Sequence, residues 1–337
     1  MNDALNDLLK RMGALITRNQ LSGIDNSTVV RFEEELARLA GCEHAISTSS
    51  GAIGLSLALE AARVGPGHEV ILPALCVFGD IAAVVRRGAT AVIVDVDSDR
   101  LTLSPEAVKA AMSTRTRAVI AVHAMGIPPD VAGLRRVVDG AFILEDASQG
   151  FPGPLLGDAA AIDLGRSDAL VSLGEGGAVL TADPYLGERI RRAANLGHVG
   201  VRLDGRRVEL SGGHDSFGTV ARLPALQAAV GLHALKELKH RLLDLRDRAS
   251  RVMDAGLELG LTLLHPSRLP NFVCFRGDAR QRELLAQRGY QLRAATVYPA
   301  HTEPACLRHK LVRVCPTPQA DTLAQGLVTL DIRTLAR

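Results

Sequence analysis

The sequence predicts an α/β fold in which a mostly parallel sheet is flanked by helices and a smaller C-terminal α/β domain follows. Short apolar runs alternate with segments of helical periodicity along the first half of the chain. The runs at 90–94 (TAVIV) and 117–122 (RAVIAV) lack a polar/apolar period of two, as expected of strands that are covered on both faces. Strands that alternate with helices in this way pair in parallel through right-handed crossovers.

Local signals predict the elements in chain order. The Gly65-Pro66-Gly67 segment ends one helix, and Ser104 with Pro105 begins another, because serine is a favoured N-cap and proline a favoured first helical residue. The predicted helices are 29–40, a segment after the Ser/Gly turn of SSGAIGL, 78–86, 104–112, 223–255 with Gly231 as a point of interruption, 280–289 and 317–327. The predicted strands are 44–48, 69–72, 90–94, 117–122, 141–144, 261–264 and 271–275. We predict a large α/β domain at 1–235, which includes the N-terminal helices, and a small C-terminal α/β domain at 236–337.

Composition and charge exclude several classes of protein. A net charge of +2 over 337 residues gives no reason to expect nucleic acid or an anionic membrane as a partner. The N-terminus has no apolar signal-peptide segment, and no run is long enough to span a bilayer. The five cysteines form no CxxC pair, and His198, His214 and Asp215 do not have the spacing of metal ligands. We therefore expect a cytoplasmic protein with reduced thiols, without a metal site, that acts on a small molecule.

A set of motifs occurs in a fixed order along nearly the whole chain. They are FEEELARLAG at 32–41, TSSGAIGL at 48–55, GPGHEVILPAL at 65–75, GATAVIVDVD at 88–97, VHAMGIPPDV at 122–131, LEDASQG at 144–150, GDAAAIDL at 157–164, LGEGGAVLTAD at 173–183, ARLPALQAAVGL at 221–232 and YPAHTEPA at 298–305. In this order they resemble the DegT/StrS aminotransferases, a group of fold-type-I pyridoxal-phosphate enzymes best known for aminating keto-sugar nucleotides. The resemblance implies a fold-type-I architecture, a homodimer whose sites span the interface, and a setting in secondary-metabolite or sugar biosynthesis.

The resemblance also implies which residues face the cofactor ring. Asp146 matches the aspartate that pairs with the pyridine nitrogen, and Gln149 matches the glutamine that contacts the ring hydroxyl. The aromatic residue that stacks on the ring matches Val77, with Phe78 one position away. His301, in YPAHTEPA, is a candidate for the substrate cleft or for capping a turn.

The lysine that forms the Schiff base in this family has no counterpart here. The sequence contains no lysine between Lys109 and Lys236. The family position falls on Asp168 when matched from GDAA and on Ala169 when matched from GEGG, and neither residue carries an amine. Arginine cannot replace this lysine, because a guanidinium stays protonated and is not a nucleophile.

The residues matched to the phosphate contacts are changed as well. In the turn Ser50-Gly51-Ala52 the backbone donors remain, but Ala52 lacks the family's hydroxyl. Asp163 replaces a serine, which would place a carboxylate beside a phosphate dianion. Val220 replaces the asparagine that reaches the neighbouring subunit, whereas Arg222 keeps its family identity.

We therefore expect that the chain uses no cofactor, or holds pyridoxal or pyridoxamine phosphate only non-covalently. The first hypothesis is a repurposed, cofactor-independent enzyme in which Asp146, Asp163 and Asp168 perform acid/base chemistry, with Glu175 and Arg166 at the rim of the pocket. The second hypothesis is a non-catalytic subunit that forms a heterodimer with an active homologue. The third is an aminotransferase or dehydratase relative that binds the cofactor non-covalently. The aspartates could equally be solvated or salt-bridged.

Overall fold

A computed structural model describes residues 3–24, 26–151, 153–165, 171–199, 201–203, 208–210, 213–264, 272–293 and 297–332. The chain forms two compact units, each built from two separate stretches of sequence. The first unit comprises Met1–Arg63 and Pro152–Lys239, and the second comprises Val64–Phe151 and His240–Arg337. The domain boundary after residue 235 stays a prediction.

Helices and strands alternate over most of the described chain. The helices are α1 (Asp3–Thr17), α2 (Ser27–Ala40), α3 (Gly51–Ala61), α4 (Phe78–Arg86), α5 (Pro105–Ala111), α6 (Val131–Val137), α7 (Pro184–Ala193), α8 (Ala225–Glu258), α9 (Ala279–Gln287), α10 (Pro304–Leu307) and α11 (Pro318–Gly326). The strands are β1 (His44–Thr48), β2 (Glu69–Pro73), β3 (Leu75–Cys76), β4 (Thr90–Val94), β5 (Thr116–Val122), β6 (Phe142–Asp146), β7 (Ala159–Asp163), β8 (Gly177–Thr181), β9 (Val201–Leu203), β10 (Val208–Leu210), β11 (Thr262–Leu263), β12 (Phe272–Arg276), β13 (Leu292–Arg293), β14 (Tyr298–Pro299), β15 (Val312–Val314) and β16 (Leu327–Asp331). Among the described residues, no helix combines the length and the apolar character needed to cross a bilayer.

A parallel sheet forms the centre of the second unit, in the order β6-β5-β2-β4-β15. All five residues of β2 are buried, which explains why this strand shows no alternation of polar and apolar residues. Ile71, Val92, Val119 and Ile143 come from four neighbouring strands and lie in one buried cluster with α5 and α6. The predicted α/β class with parallel strands is therefore confirmed.

The last strand of that sheet is β15, which the sequence did not predict. Its residues Val312–Val314 pair in parallel with Ala91–Ile93 of β4. The strand has only three residues and includes Arg313, so it lacks the apolar run that indicates a buried strand. Long-range pairing at the sheet edge therefore determines its conformation.

An antiparallel sheet in the order β1-β8-β7 forms the centre of the first unit, with α3 and α7 packed against its strands. Helix α8 begins in this unit and runs without interruption through Gly231, so the predicted break there is wrong. The physical reason is packing: a Cβ on Gly231 would lie 2.4 Å from Cε2 of Phe32 in α2. The glycine thus serves a close approach of α8 to α2.

A second antiparallel sheet, ordered β11-β12-β16-β13, is formed by the C-terminal part of the second unit. The predicted strands at 261–264 and 271–275 correspond to β11 and β12, and the predicted helix at 280–289 corresponds to α9. The predicted helix at 317–327 ends at Gly326, and the chain continues as strand β16, which pairs with β12.

Candidate functional site

The predicted site residues divide between the two units. Arg166, Asp168 and Ala169, which include the position matched to the Schiff-base lysine, lie outside the described residues. Ser50, Gly51, Ala52, Asp163, Glu175 and Arg222 belong to the first unit, and Val77, Phe78, Asp146, Gln149 and His301 belong to the second.

In the first unit, the Asp163 carboxylate lies on the first turn of α3. The Gly51 amide donates a hydrogen bond to Asp163 Oδ2 over 3.1 Å, and the Gly165 amide donates to Asp163 Oδ1 over 2.9 Å. The N-cap Ser50 accepts from the Ile53 amide through its hydroxyl over 3.3 Å. A carboxylate is favourable at this position, because the N-terminal end of a helix carries partial positive charge. The amide expected to face a phosphate thus already binds a carboxylate of the chain itself.

The backbone fits tightly around this contact. A Cβ on Gly51 would lie 2.7 Å from the Cβ of Asp163, so only glycine allows the two segments to approach so closely. The neighbouring Ala52 is exposed and offers no hydroxyl. Glu175 is exposed as well, and its Oε2 lies 3.1 Å from where a Cβ of Gly165 would be. The structure therefore brings Ser50, Gly51, Asp163 and Glu175 into one region.

Arg222 is held by Asn195, a residue that the sequence analysis did not identify. Arg222 Nε donates to Asn195 Oδ1 over 2.6 Å, and Asn195 Nδ2 donates to the Arg191 carbonyl over 2.7 Å. Partial burial lowers the pKa of Arg222 from its ordinary value. Val220 pairs with Asn195 through a backbone bridge, and its side chain is 57% exposed. Arg222 thus has a fixed orientation, whereas Val220 presents an apolar side chain to solvent.

In the second unit, Asp146 is the last residue of β6, and Gln149 lies in the turn that follows this strand. Asp146 is 5% exposed, and its Oδ1 accepts hydrogen bonds from the Ser148 amide over 3.0 Å and from the Ser148 hydroxyl over 2.5 Å. Gln149 Oε1 accepts from the Met125 amide over 2.6 Å, which fixes the orientation of the Gln149 side chain. The structure therefore places a buried, oriented carboxylate and an oriented amide at the end of one central strand.

Asp80, a residue not identified from the sequence, faces Asp146. Asp80 belongs to the first turn of α4 and is fully buried. Its Oδ2 accepts from the Val77 amide over 3.1 Å. The carboxyl of Asp146 lies close enough to act on the carboxyl of Asp80. Burial, followed by the charge of Asp146, raises the pKa of Asp80 well above its ordinary value. The sequence contains one signal for it, because Asp80 is the only charged residue within the apolar segment 70–85.

The two candidate stacking residues flank the start of α4. Val77 is the N-cap of this helix, and Phe78, its first residue, is 40% exposed. Nearby, strand β14 pairs with β3 and places Tyr298 opposite Cys76. Burial, followed by Asp80, raises the pKa of the Cys76 thiol. These contacts put Cys76, Tyr298 and the two aspartates in one part of the second unit.

His301 and His123 are both buried, and within the part of the chain that the structure describes only His123 has a polar partner at its ring. His123 Nε2 lies 2.8 Å from Glu145 Oε2, and both side chains are almost inaccessible to solvent. His301 is in a short 3₁₀ turn, Ala300–Thr302, that packs against α4, and its Nδ1 has no partner among the described residues. A cavity of about 480 Å³ in this unit is lined by Leu75, Tyr298 and Pro299 together with residues of α9 and β16, and His301 is not among its lining residues.

Comparison with known proteins assigns the chain to a family. Residues 6–335 match the DegT/DnrJ/EryC1/StrS aminotransferase family. The dTDP-3-amino-3,4,6-trideoxy-α-D-glucose transaminase of Streptomyces venezuelae is 33% identical over 317 residues, which cover 89% of this chain and 81% of that enzyme. Relatives of this chain therefore include sugar aminotransferases of secondary-metabolite biosynthesis.

Solved structures show the same fold. The S. venezuelae DesV structure, in complex with a ketimine intermediate, has a TM-score of 0.81 and 29% identity, with 99% of this chain and 92% of that chain covered. The NtdA structure from Bacillus subtilis, with bound cofactor PMP, has a TM-score of 0.84 and 20% identity, with 98% and 78% covered. At that lower identity the NtdA comparison supports the fold alone.

The expectation that the chain uses no cofactor is wrong. The matched family consists of pyridoxal-phosphate-dependent aminotransferases, and the DesV structure was solved in complex with a ketimine intermediate. The second unit fits the ring of this cofactor, because the Ser148 donors hold the Asp146 carboxylate as an acceptor for a pyridine nitrogen. In the first unit, Asp163 binds the Gly51 amide, a contact that a phosphate would have to replace.

The family match covers residues 6–335, and the fold agrees with that of the DesV structure. The chain therefore belongs to the DegT/DnrJ/EryC1/StrS aminotransferase family.

Proposed function

We propose that the chain binds pyridoxamine or pyridoxal phosphate non-covalently and acts with it on a keto-sugar or a related small metabolite. The orientation of Asp146 carries this proposal, because two donors from Ser148 hold one of its oxygens in a buried position. The sequence supports non-covalent binding, because it contains no lysine between Lys109 and Lys236. We infer that the chain, without an amine in that stretch, does not transaminate through the family's Schiff-base lysine.

Each residue has a defined task in this proposal. When bound, the cofactor supplies an amino or aldehyde group and a ring that accepts electrons. The Asp146 carboxylate holds the proton on the ring nitrogen, and Gln149 orients the ring through its side-chain amide. In the first unit, Asn195 holds the Arg222 guanidinium in a fixed orientation, which suits an anionic group.

The substrate class rests on the relatives. The transaminase of S. venezuelae named above acts on a nucleotide-linked sugar, as its name states. We extend this substrate class to the present chain because the match to that enzyme covers 89% of the present chain. We place the reaction in secondary-metabolite or sugar biosynthesis in the cytoplasm.

Exposed apolar side chains support a homodimer. Leu196, Val199, Phe217 and Val220 are exposed on the first unit, and Phe217 is fully accessible to solvent. Such a group of large apolar side chains favours a protein interface. We propose that a second copy of this chain covers it. The second candidate, pairing with an active homologue, is favoured by the carboxylate that already binds the α3 amide.

Binding experiments with the purified protein test the proposal. Titration with pyridoxamine phosphate is expected to show saturable binding by calorimetry and a shifted absorbance of the ring. Borohydride treatment with pyridoxal phosphate, followed by peptide mass spectrometry, is expected to find no modified lysine at the binding stoichiometry. Asp146→Ala should lose the binding, whereas Asp183→Ala, at the exposed N-cap of α7, should keep it. A stoichiometric lysine adduct, or no binding of either cofactor form, would contradict the proposal.

The second candidate predicts that this chain forms a heterodimer with a family member that carries the lysine. Co-expression with a lysine-bearing family member and size-exclusion chromatography with light scattering would separate homodimers from heterodimers. A homodimer that turns over substrate by itself contradicts the role of a non-catalytic subunit.

A further inference from the structure

The buried carboxyl of Asp80 has a hydrogen-bond deficit that a proton would resolve. Among the described residues, no N–H or O–H group donates to Asp80 Oδ1, although the side chain is fully buried. Its other oxygen accepts a single bond from the Val77 amide. The carboxyl of Asp146 also lies near Asp80, and it can accept a hydrogen bond but donates none when ionised.

Two buried carboxyl groups in contact do not both carry a charge. The repulsion between two adjacent carboxylates and the loss of hydration together favour a pair that holds one proton. Within this pair, Asp146 has two donors from Ser148, whereas Asp80 has one from Val77. The negative charge is therefore better stabilised on Asp146, and the proton belongs on Asp80. Cys76, which faces both groups, contributes no charge because burial raises the pKa of its thiol.

We propose that Asp80 is a positioning residue that shares a proton with Asp146 and thereby keeps Asp146 ionised as the acceptor for a protonated nitrogen heterocycle. The shared proton is a property of the protein alone. The heterocycle, a pyridinium ring, rests on the proposed function. The motifs that carry the family resemblance do not include position 80, and the position of this carboxyl near Asp146 results from the packing of α4 in the second unit.

The proposal distinguishes the substitutions of Asp80. In Asp80→Asn, the amide keeps a donor for Asp146 and carries no charge, so Asp146 stays ionised. In Asp80→Ala, Asp146 loses that donor in a buried environment and takes up the proton itself. A protonated Asp146 no longer accepts a hydrogen bond from a pyridinium nitrogen at that oxygen. A role limited to packing would instead affect both variants.

Infrared spectroscopy of the ligand-free protein tests the shared proton directly. With ¹³C-labelled aspartate, the carbonyl stretch of a protonated carboxylic acid is expected at neutral pH in the native protein. Asp80→Asn should remove this band. Asp80→Ala should retain a band, because Asp146 then carries the proton. The double variant Asp80→Ala/Asp146→Asn should lose that band. The control Asp183→Asn changes an exposed N-cap aspartate and should leave the native band unaltered. A native protein without this band overturns the shared proton.

Binding of pyridoxamine phosphate labelled with ¹⁵N in the ring tests the positioning role. We expect the dissociation constant of Asp80→Asn to lie within about threefold of that of the native protein. We expect Asp80→Ala to bind about tenfold more weakly, because one hydrogen bond to a charged group is lost. The ¹⁵N chemical shift should report a protonated ring in the native protein and in Asp80→Asn, and a less protonated one in Asp80→Ala. Equal loss in both variants would overturn the positioning role. If neither the native protein nor any variant binds the cofactor, the proposed function and the pyridinium ligand are both wrong. The infrared band then shows by itself whether Asp80 and Asp146 share a proton.

Discussion

The Gly51 amide donates a hydrogen bond of 3.1 Å to Asp163 Oδ2. A carboxylate therefore lies at the N-terminal end of α3, where the helix carries partial positive charge. The sequence comparison expected this carboxylate beside a phosphate, and the structure shows it bound to the amide that a phosphate would use. The contact has a measurable consequence for ligands that carry a phosphate.

Asp163→Ser is expected to strengthen binding of pyridoxamine phosphate relative to pyridoxamine, which lacks the phosphate. Removing a like charge within a few ångströms of a phosphate is worth about 1 kcal/mol or more, and therefore about fivefold or more in the ratio of the two dissociation constants. Calorimetric titration of both compounds gives this ratio. Asp158→Ser, just before the other end of β7, serves as the matched control. An unchanged ratio in Asp163→Ser would show that the carboxylate moves away at no cost.

Asp80→Asn is expected to raise the free energy of unfolding at neutral pH. The pKa of Asp80 is raised in the folded protein, so the native state keeps a proton that the unfolded state releases, and native stability falls as pH rises above the ordinary aspartate value. Asparagine has no proton to release, so the variant does not lose this stability. The loss in the native protein is about 1.4 kcal/mol for each pH unit by which the pKa is raised. Urea unfolding at pH 4 and at pH 7 should show a small difference between the two proteins at pH 4 and a larger one at pH 7. A difference that is independent of pH would contradict the protonated state.

Glu33→Gln is expected to destabilise the protein strongly. Glu33 in α2 is 5% exposed and accepts hydrogen bonds from the Ser47 amide over 2.8 Å, the Ser47 hydroxyl over 2.7 Å and the Arg191 guanidinium over 2.9 Å. Loss of the charge leaves the partly buried Arg191 guanidinium without its counter-ion, at a cost of about 3–5 kcal/mol. Glu35→Gln breaks an exposed pair with Arg38 on the same helix and should change stability by less than about 1 kcal/mol. Similar effects in both variants, measured by urea unfolding, would contradict this account.

Gly231→Ala is expected to destabilise the protein by about 1–3 kcal/mol even though alanine favours helices. The new Cβ would lie 2.4 Å from the ring of Phe32, which overpacks the contact between α8 and α2. Gly13→Ala, in α1, is the control, since a Cβ there meets no atom within 4 Å, and it should stabilise by up to about 1 kcal/mol. Thermal unfolding of the two variants should therefore shift in opposite directions. A Gly231→Ala variant that is partly rescued by Phe32→Leu would identify the ring as the cause.

Phe217→Glu is expected to convert a homodimer into monomers. Phe217 is fully exposed and lies beside the exposed Val220, so a charge there would be buried unpaired if a second copy covered the surface. Light scattering after size-exclusion chromatography measures the mass. Leu307→Glu changes a 70% exposed side chain of the second unit and should leave the mass unchanged. A dimer that survives Phe217→Glu would place the interface elsewhere.

Much of the fold is encoded locally. Strands such as β2 and β4 are short apolar runs between helices, and their burial on both faces leaves a pattern that can be recognised without the structure. Strand β15 carries no such pattern, because its conformation comes from pairing with β4. Gly231 suggested a break, but the neighbouring Phe32 ring, almost two hundred residues earlier in the chain, requires a glycine within a continuous helix.

The sequence by itself determined the family, the α/β class and the closeness of Asp146 and Gln149, because residues three positions apart are near each other in any local structure. It also determined that no lysine lies between Lys109 and Lys236. Only the tertiary structure decided that Asp163 binds the Gly51 amide and that Asp80 faces Asp146. Gly51 and Asp163 are 112 positions apart, and such contacts depend on how distant segments pack, which local pattern does not record.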